Sequence, residues 1–443
     1  MTRAPNLENV STRLQRIAQL AREDPKRVLV SLAHHIDMDL LQEAYRRTRK
    51  DGAPGVDGQT AAAYEENLEE NLQSLLDRLK SGRYQAPPVR RVYIPKGSDP
   101  TKKRPIGVPT FEDKILQRAV AMVLEAVYEQ DFLDCSYGFR PGRSAHQAIR
   151  TLWQALTAMG GGWVLEADIQ GFYDTLDPGH LRGFLDQRVR DGVLRRAIDK
   201  WLKAGVMEEG TLSHPTTGTP QGGVISPLLS NIYLHKVLDE WFEAEVKPRL
   251  HGAACLIRFA DDFVWVFQLE SDARRVLEVL PKRFDRYGLR LHPDKTRLMR
   301  FERPDRRVEP GRAQRLEEPR SFDFLGFTHY WEKSRRGSWV VKRKTASDRS
   351  TRFLRQLNQW CQRHRHAPVV WQHAQLLSKL RGHSGYYGIT GNSRSLSSVQ
   401  YRVKRTWHKW LSRRSRASGL NWERFNLLLE RYPIPSLRIC HSV

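Results

Sequence analysis

The stretch Arg258-Phe259-Ala260-Asp261-Asp262-Phe263-Val264-Trp265-Val266-Phe267, RFADDFVWVF, sets two adjacent carboxylates inside an apolar run. An unpaired ion taken out of water is expensive, so something must compensate the pair. CLIRF before it and FVWVF after it each read as a short strand. The link between them predicts a hairpin at the edge of a sheet, with the carboxylates at its tip. A third carboxylate has a similar setting: WVLEADIQGFYD (Trp163–Asp174) reads as a strand ending at Asp168, followed by a turn. If the strand ends lie side by side, Asp168, Asp261 and Asp262 converge, and three carboxylates repel one another unless cations neutralise them. Oxygen ligands of this kind suit Mg²⁺. Two such ions serve an in-line phosphoryl displacement. Taken alone, an Asp pair is more often a solvated turn.

The composition narrows the partners. The chain has 443 residues, 40% of them hydrophobic, enough for a sizeable core and two or three domains. Lys and Arg number 74 against 50 Asp and Glu, a net charge of +24. From Trp331 to Val443 there are 24 basic and 4 acidic residues, a net of +20, whereas the first 330 residues carry only +4. So local an imbalance points to a polyanionic partner, and nucleic acid is the usual one. The four cysteines, Cys135, Cys255, Cys361 and Cys440, form no C-x-x-C pair, which argues against a zinc module or a disulfide framework. No apolar run is long enough for a membrane span, and the N-terminus lacks a secretory signal. A cytoplasmic protein without membrane contact is expected.

Along the chain, residues 7–80 read as helices broken by KDGAPGVDG, and residues 86–330 as mixed short strands and helices. ERPDRRVEPGRAQRLEEPR (Glu302–Arg320) reads as a charged loop. After about Lys342 the pattern is helical and basic. Thr110 can cap a helix beginning FEDKILQ, with Asp113 placed as in a capping box, and Ser144 can cap AHQAIRTLWQAL. Ser226, with Pro227 following, opens LLSNIYLHKVLDEW. In YRVKRTWHKWLSRRSR (Tyr401–Arg416), Val403, Trp407, Trp410 and Leu411 form one helix face. Arg402, Arg405, Lys409, Arg413 and Arg416 lie roughly opposite, poised for phosphate or for solvent.

FADD and seven other ordered blocks then resemble the group II intron-encoded reverse transcriptase/maturases. FADD is similar to their Tyr-Ala-Asp-Asp box, with Phe259 in place of Tyr. KKRPIGVPTFEDKILQ resembles the fingers block, YGFRPGRSAHQAI the block after it, and ADIQGFYDTLDPGHL the palm block with the first catalytic Asp. GTPQGGVISPLLSNIYL resembles the Pro-Gln-Gly block. GLRLHPDKTRLMRF and FDFLGFTHY resemble the last two, and LRGHSGYYGITGN the maturase-specific thumb.

The resemblance implies an α+β right-hand polymerase fold, its fingers and palm an antiparallel sheet with helices, followed by an α-helical thumb. The implied boundaries are a helical extension of the fingers over 1–85, fingers and palm over 86–335, thumb over 336–420 and a short segment over 421–443. It implies catalytic Asp168, Asp261 and Asp262, with two Mg²⁺ ions held by these carboxylates and the Ile169 backbone oxygen. Lys103 and Arg104 are implied to grip a dNTP triphosphate, Gln221 to line the nucleotide, and Gly222 and Gly223 to let backbone approach it. Tyr173 is implied to exclude a ribose 2′-hydroxyl, or else it packs in the core. Arg402, Arg405, Lys409, Arg413 and Arg416 would meet nucleic acid. Implied partners are a group II intron RNA, an RNA template with a DNA primer, dNTPs and a DNA target. The chain ends before the zinc-containing endonuclease of longer members, so second-strand cleavage is not expected of it. Two other readings stay open: a domesticated enzyme of DNA repair or phage defence, and an RNA-binding chaperone without polymerase activity.

Overall fold

The computed structural model describes residues 7–95, 103–208, 210–213, 222–304, 321–414 and 419–442. In chain order the helices are α1 (Leu7–Glu23), α2 (Met38–Arg47), α3 (Ala61–Glu65), α4 (Leu68–Lys80), α5 (Phe111–Tyr128), α6 (Ala145–Ala158), α7 (Phe172–Thr175), α8 (Pro178–Asp186), α9 (Gly192–Lys203), α10 (Ser226–Leu234), α11 (Glu270–Asp285), α12 (Ser347–Arg363), α13 (Val369–Tyr387), α14 (Ser393–Leu411) and α15 (Trp422–Arg431). The strands are β1 (Val89–Pro95), β2 (Lys103–Val108), β3 (Trp163–Asp168), β4 (Val206–Glu208), β5 (Thr211–Ser213), β6 (Ala254–Phe259), β7 (Asp262–Phe267), β8 (Arg297–Arg300), β9 (Ser321–Phe324), β10 (Phe327–Lys333) and β11 (Trp339–Thr345). This is the expected α+β class. Among the described residues no helix is long and apolar enough to cross a membrane.

The chain divides into two compact units, Met1–Ser144 with Leu165–Leu298, and Ala145–Val164 with Met299–Val443. One sheet has the order β2-β1-β4-β5 and another β6-β7-β3-β8. The hairpin β6–β7 is antiparallel, with Phe259 opposite Asp262. Phe263 to Phe267 are all buried, 2% exposed or less. A strand with no exposed face is covered on both sides. Phe242 packs on Trp265 at 5.9 Å between ring centroids, and Phe284 on Phe263 at 6.0 Å.

The central helix of the first unit is α5, buried on most of its circumference. Thr110 caps it as expected, its hydroxyl accepting the Asp113 amide at 3.3 Å. Asp113 does not close a capping box. Its carboxylate turns inward, where the Tyr84 hydroxyl, Trp201 Nε1 (2.7 Å) and Gln117 Nε2 (2.9 Å) donate to it. Burial pushes this carboxyl up to about 6. Ser226 is the first residue of α10 rather than its cap, which is Ile225. Beyond Leu234 the helix widens into π turns over His235–Asp239 and Trp241–Val246.

The second unit sets α6 and α12–α15 with a three-stranded antiparallel sheet, order β11-β10-β9. β11 runs to Thr345, so the helical pattern expected from about Lys342 begins instead at Ser347. The core of the helices is Leu357, Cys361, Leu376, Leu380, Val399, Val403, Trp407, Trp410, Leu411, Phe425 and Ile434. The apolar face read from Tyr401–Arg416 is the face that packs. Buried Gln372 ties three segments together: its Oε1 accepts Trp407 Nε1 at 3.0 Å, and its Nε2 donates to the carbonyl of His364 at 2.8 Å.

Candidate active site

Only Ala260 and Asp261 separate β6 from β7. Ala260 has φ of 58°, at the first central position of the turn, where a two-residue hairpin often demands glycine. Asp261 therefore projects from a tight, strained tip. The edge of β6 is not bare: Tyr137 N donates to Arg258 O at 2.8 Å, and Arg258 N donates to Cys135 O at 2.7 Å. Gly138 continues this cover. A Cβ on it would stand 2.3 Å from Ala260 N, so only glycine lets the backbone pass under the turn.

Strand β3 lies beside β7 and ends at Asp168. Burial raises the pKa of Asp261, and the Asp168 charge raises it further. Two carboxylates within each other's field require positive charge. Arg104 and Lys295 supply it, both lowering the pKa of Asp261. The Lys295 ammonium is also paired directly with the Asp168 carboxylate. Ile169 faces Leu291 in an isolated antiparallel bridge. The flanking bonds run from Gln170 N to Arg290 O and from His292 N to Asp168 O, both 2.8 Å. The amide and carbonyl of Ile169 consequently point away from Leu291, to the side where β7 lies.

This donor set fits a divalent cation: two carboxylates and a directed backbone oxygen, with the Lys295 ammonium now resting as the cation against one carboxylate. It is smaller than expected. Among the described residues no group of three or more His, Cys, Asp or Glu stands close enough together to hold a metal ion. Asp168 and Asp261 come together, whereas Asp262 is exposed as the first residue of β7.

The family model for reverse transcriptase (RNA-dependent DNA polymerase) matches residues 94–329, more than half the chain. The chain belongs to the reverse transcriptase family. It is 37% identical over 329 residues to Protein YkfC of Escherichia coli, covering 65% of this chain and 84% of that protein. It is 37% identical over 225 residues to the group II intron-encoded protein LtrA of Lactococcus lactis, covering 51% of this chain and 37% of LtrA. Nuclear intron maturase 2 of Arabidopsis thaliana is 27% identical over 236 residues, 44% of this chain and 30% of that protein. The chain thus spans about a third of the length of these two intron-related proteins.

The other expected site residues fall as follows. Tyr173, in α7, is largely buried. Its hydroxyl is held neutral to higher pH by burial and by the Asp261 charge, and it interacts with the Ser230 hydroxyl and the Arg104 charge. Asp261, Tyr173 and Arg104 therefore share one neighbourhood. Lys103 is exposed at the start of β2. Gln221 lies outside the described residues. Gly222 has a reason of its own: a Cβ there would stand 2.5 Å from Gly107 O, so it is packed against β2, whatever ligand comes near. On α14, Arg402, Arg405 and Lys409 are exposed, opposite the buried Val403 and Trp407, and Arg413, just past the end of the helix, is exposed as well. Arg416 lies outside the described residues.

Arg258, to which the sequence pattern assigns no role, lies beneath the turn. Its guanidinium is fully buried, and all five N–H groups have partners. Nε and Nη2 grip Asp239 at 2.8 and 2.6 Å. Nη2 also donates to Ser136 Oγ at 2.8 Å, and Nη1 to Asn231 Oδ1 at 3.0 Å and to Ala260 O at 3.1 Å. Asn231 Nδ2 donates in turn to Gly138 O at 2.7 Å. The carbonyl next to Asp261 is thus fixed by an ion pair with no exposed surface. A signal was present: Arg258 stands in an apolar strand, and Asp239 on the apolar face of a helix. Two opposite charges that both point inward are candidates for one another. The sequence pattern likewise assigns no role to Phe139. It is 57% exposed, has φ of 56°, and its ring lies 6.4 Å from that of Phe259.

Proposed function

We propose that this chain is an RNA-directed DNA polymerase that also binds a group II intron RNA and assists its splicing and mobility. The observation that carries the reading is the meeting of Asp168 and Asp261 at adjacent strand ends, within the field of Arg104 and Lys295. Asp168, Asp261 and the Ile169 carbonyl would hold two Mg²⁺ ions, with Asp262 as the neighbouring carboxylate. Such ions, when bound, acidify a primer 3′-hydroxyl and steady a departing pyrophosphate.

The protein's part is positioning and charge. Arg104, with Lys103 beside it, grips the triphosphate, since a guanidinium meets phosphate oxygens in pairs. Tyr173 sets a ring where a ribose 2′-hydroxyl would go, and Gln221 lines the nucleotide. Arg258 holds the Asp-bearing turn against the charge that gathers there. Residues 86–335 serve as fingers and palm with 1–85 as their extension, and 336–420 serve as thumb. On the thumb, α14 tracks phosphates of a template–primer duplex or of intron RNA, whose A-form shape offers phosphates and 2′-hydroxyls rather than base edges. LtrA is named for its group II intron, and the +20 charge of the last 113 residues supports an RNA partner here.

The test is extension of a DNA primer on an RNA template by the purified chain with dNTPs and Mg²⁺. Full-length product that disappears with chelator is expected. A chain that binds primer–template tightly yet extends it with neither Mg²⁺ nor Mn²⁺ contradicts the polymerase reading and leaves RNA binding.

A further inference from the structure

From Arg349 to Trp422 the chain holds fifteen Lys and Arg and no Asp or Glu. Within this wholly cationic stretch, two tryptophans meet between α12 and α13. Trp360, near the end of α12, packs one side against the core of the helices. Trp371, in the first turn of α13, stacks on it with centroids 5.8 Å apart and 27° between the planes. His364, one turn beyond Trp360, lies 5.2 Å from the Trp371 ring. Trp371 nevertheless keeps 40% of its surface exposed, and neighbouring Val370 keeps 60%. Lys379, two turns along α13 from Trp371, carries its ammonium 5.3 Å from the Trp360 centroid.

An exposed indole already stacked on a second ring offers a flat π surface whose ordering costs little on binding. Contiguous exposed apolar area, here Val370 beside Trp371, is the kind of surface that marks interaction sites, unlike apolar residues scattered singly. An apolar protein face would suit the rings but not the uniform positive charge around them. A partner that combines flat rings with negative charge suits both, and an unpaired base with its phosphates is such a partner. A duplex keeps its bases stacked inside and cannot offer one.

We propose that the Trp360–Trp371 seam is a stacking site for an unpaired base of single-stranded RNA, with Lys379 meeting a flanking phosphate. It rests on the proposed reading only in that the chain binds RNA.

The experiment uses the full chain and a single-stranded RNA oligonucleotide with one central 2-aminopurine, without Mg²⁺ or dNTPs, beside a blunt RNA–DNA duplex. Trp371→Ala is expected to lower single-strand affinity roughly tenfold or more, in line with the loss on removing one stacking aromatic. It should also remove the 2-aminopurine quenching while leaving duplex affinity within about twofold. Trp371→Phe should restore most of both signals. Lys379→Gln should flatten the salt dependence for the single strand by about one phosphate's worth. Unchanged affinity and quenching in a folded Trp371→Ala variant would overturn the proposal. So would equal losses on single strand and duplex, which would make Trp371 a structural residue. Unchanged RNA binding with altered sedimentation would also overturn it and make the seam a protein contact. No catalysis enters this assay, so its failure alongside intact primer extension leaves the polymerase reading standing, and the reverse also holds.

Discussion

Arg258 and Asp239 face each other bidentately at 2.8 and 2.6 Å, and neither side chain has any exposed surface. A buried pair of this kind is weak evidence for stability, because desolvation offsets much of the attraction. Its placement is informative: the same guanidinium donates to Ala260 O, the carbonyl that precedes Asp261.

Removing one partner should be severe. Arg258→Ala or Asp239→Asn leaves a buried charge unpaired, at a cost of about 3–5 kcal/mol in chemical denaturation. Replacing both, as in Arg258→Met with Asp239→Leu, should recover most of that stability, since apolar side chains of similar volume often substitute well. Primer extension by the double variant should stay depressed, because nothing then holds the Ala260 carbonyl. A stable double variant that extends like the parent would make the pair mere packing.

Tyr173→Ala should admit ribonucleotides. The ring stands in the neighbourhood of Asp261 and Arg104, and a methyl in its place opens room for a 2′-hydroxyl. The ratio of rNTP to dNTP incorporation is expected to rise. An unaltered ratio would assign Tyr173 to packing alone.

Arg405 and Lys409 on α14 and Arg413 just past its end are exposed, while Val403 and Trp407 are fully buried on the opposite face of the helix. Changing the three cations to Gln should flatten the dependence of log duplex affinity on log salt by roughly two to three, given about 0.7–0.9 per phosphate contact. The loss should be alike for unrelated sequences, since phosphate contacts carry no base information. Gln keeps nearly the helix propensity of Lys and Arg, so circular dichroism should not change. An unaltered slope would turn this face to solvent.

His329, on β10, is fully buried, stacked 5.0 Å from Phe322, and neither ring nitrogen has a hydrogen-bond partner among the described residues. Burial, with the Arg343 charge nearby, pulls its pKa from 6.5 down to about 3. Above pH 6.5 the ring is neutral in both folded and unfolded chains and contributes no pH dependence. Below 6.5 the unfolded chain takes up a proton that the folded one refuses, so stability falls until about pH 3. At pH 5.5 the loss from this residue should be about 1.4 kcal/mol relative to pH 7.5. His329→Phe should lack that component. His383, lowered to about 4 by burial, would keep a slope of the same sign in the variant. Equal losses in the variant and the parent between these two pH values would contradict the assignment.

The parts of this molecule legible in the sequence were those set by local pattern. The strands flanking Asp261, the strand ending at Asp168, the Thr110 cap and the buried face of α14 each follow from alternation, periodicity or a capping residue. What escaped depends on partners distant in the chain. Arg258 meets Asp239, Asn231 and Ser136, the last of them 122 residues away. Lys295 reaches Asp168 across 127 residues. Asp113 was expected to serve its own helix end, but Tyr84 and Trp201 draw it into the core. No short-range pattern encodes such meetings, although charged residues on apolar faces flag that partners must exist.

Asp168 and Asp261 are assigned to act together, and the most direct measurement is primer extension by Asp261→Asn set against its binding of the same primer–template. Asn keeps the size of the side chain and removes the charge that would hold a metal ion. The expected result is extension lower by several orders of magnitude, with primer–template affinity and folding unchanged, because binding is assigned to the basic helical unit. A folded Asp261→Asn variant that extends the primer at close to the parent rate would contradict the assignment of the active site.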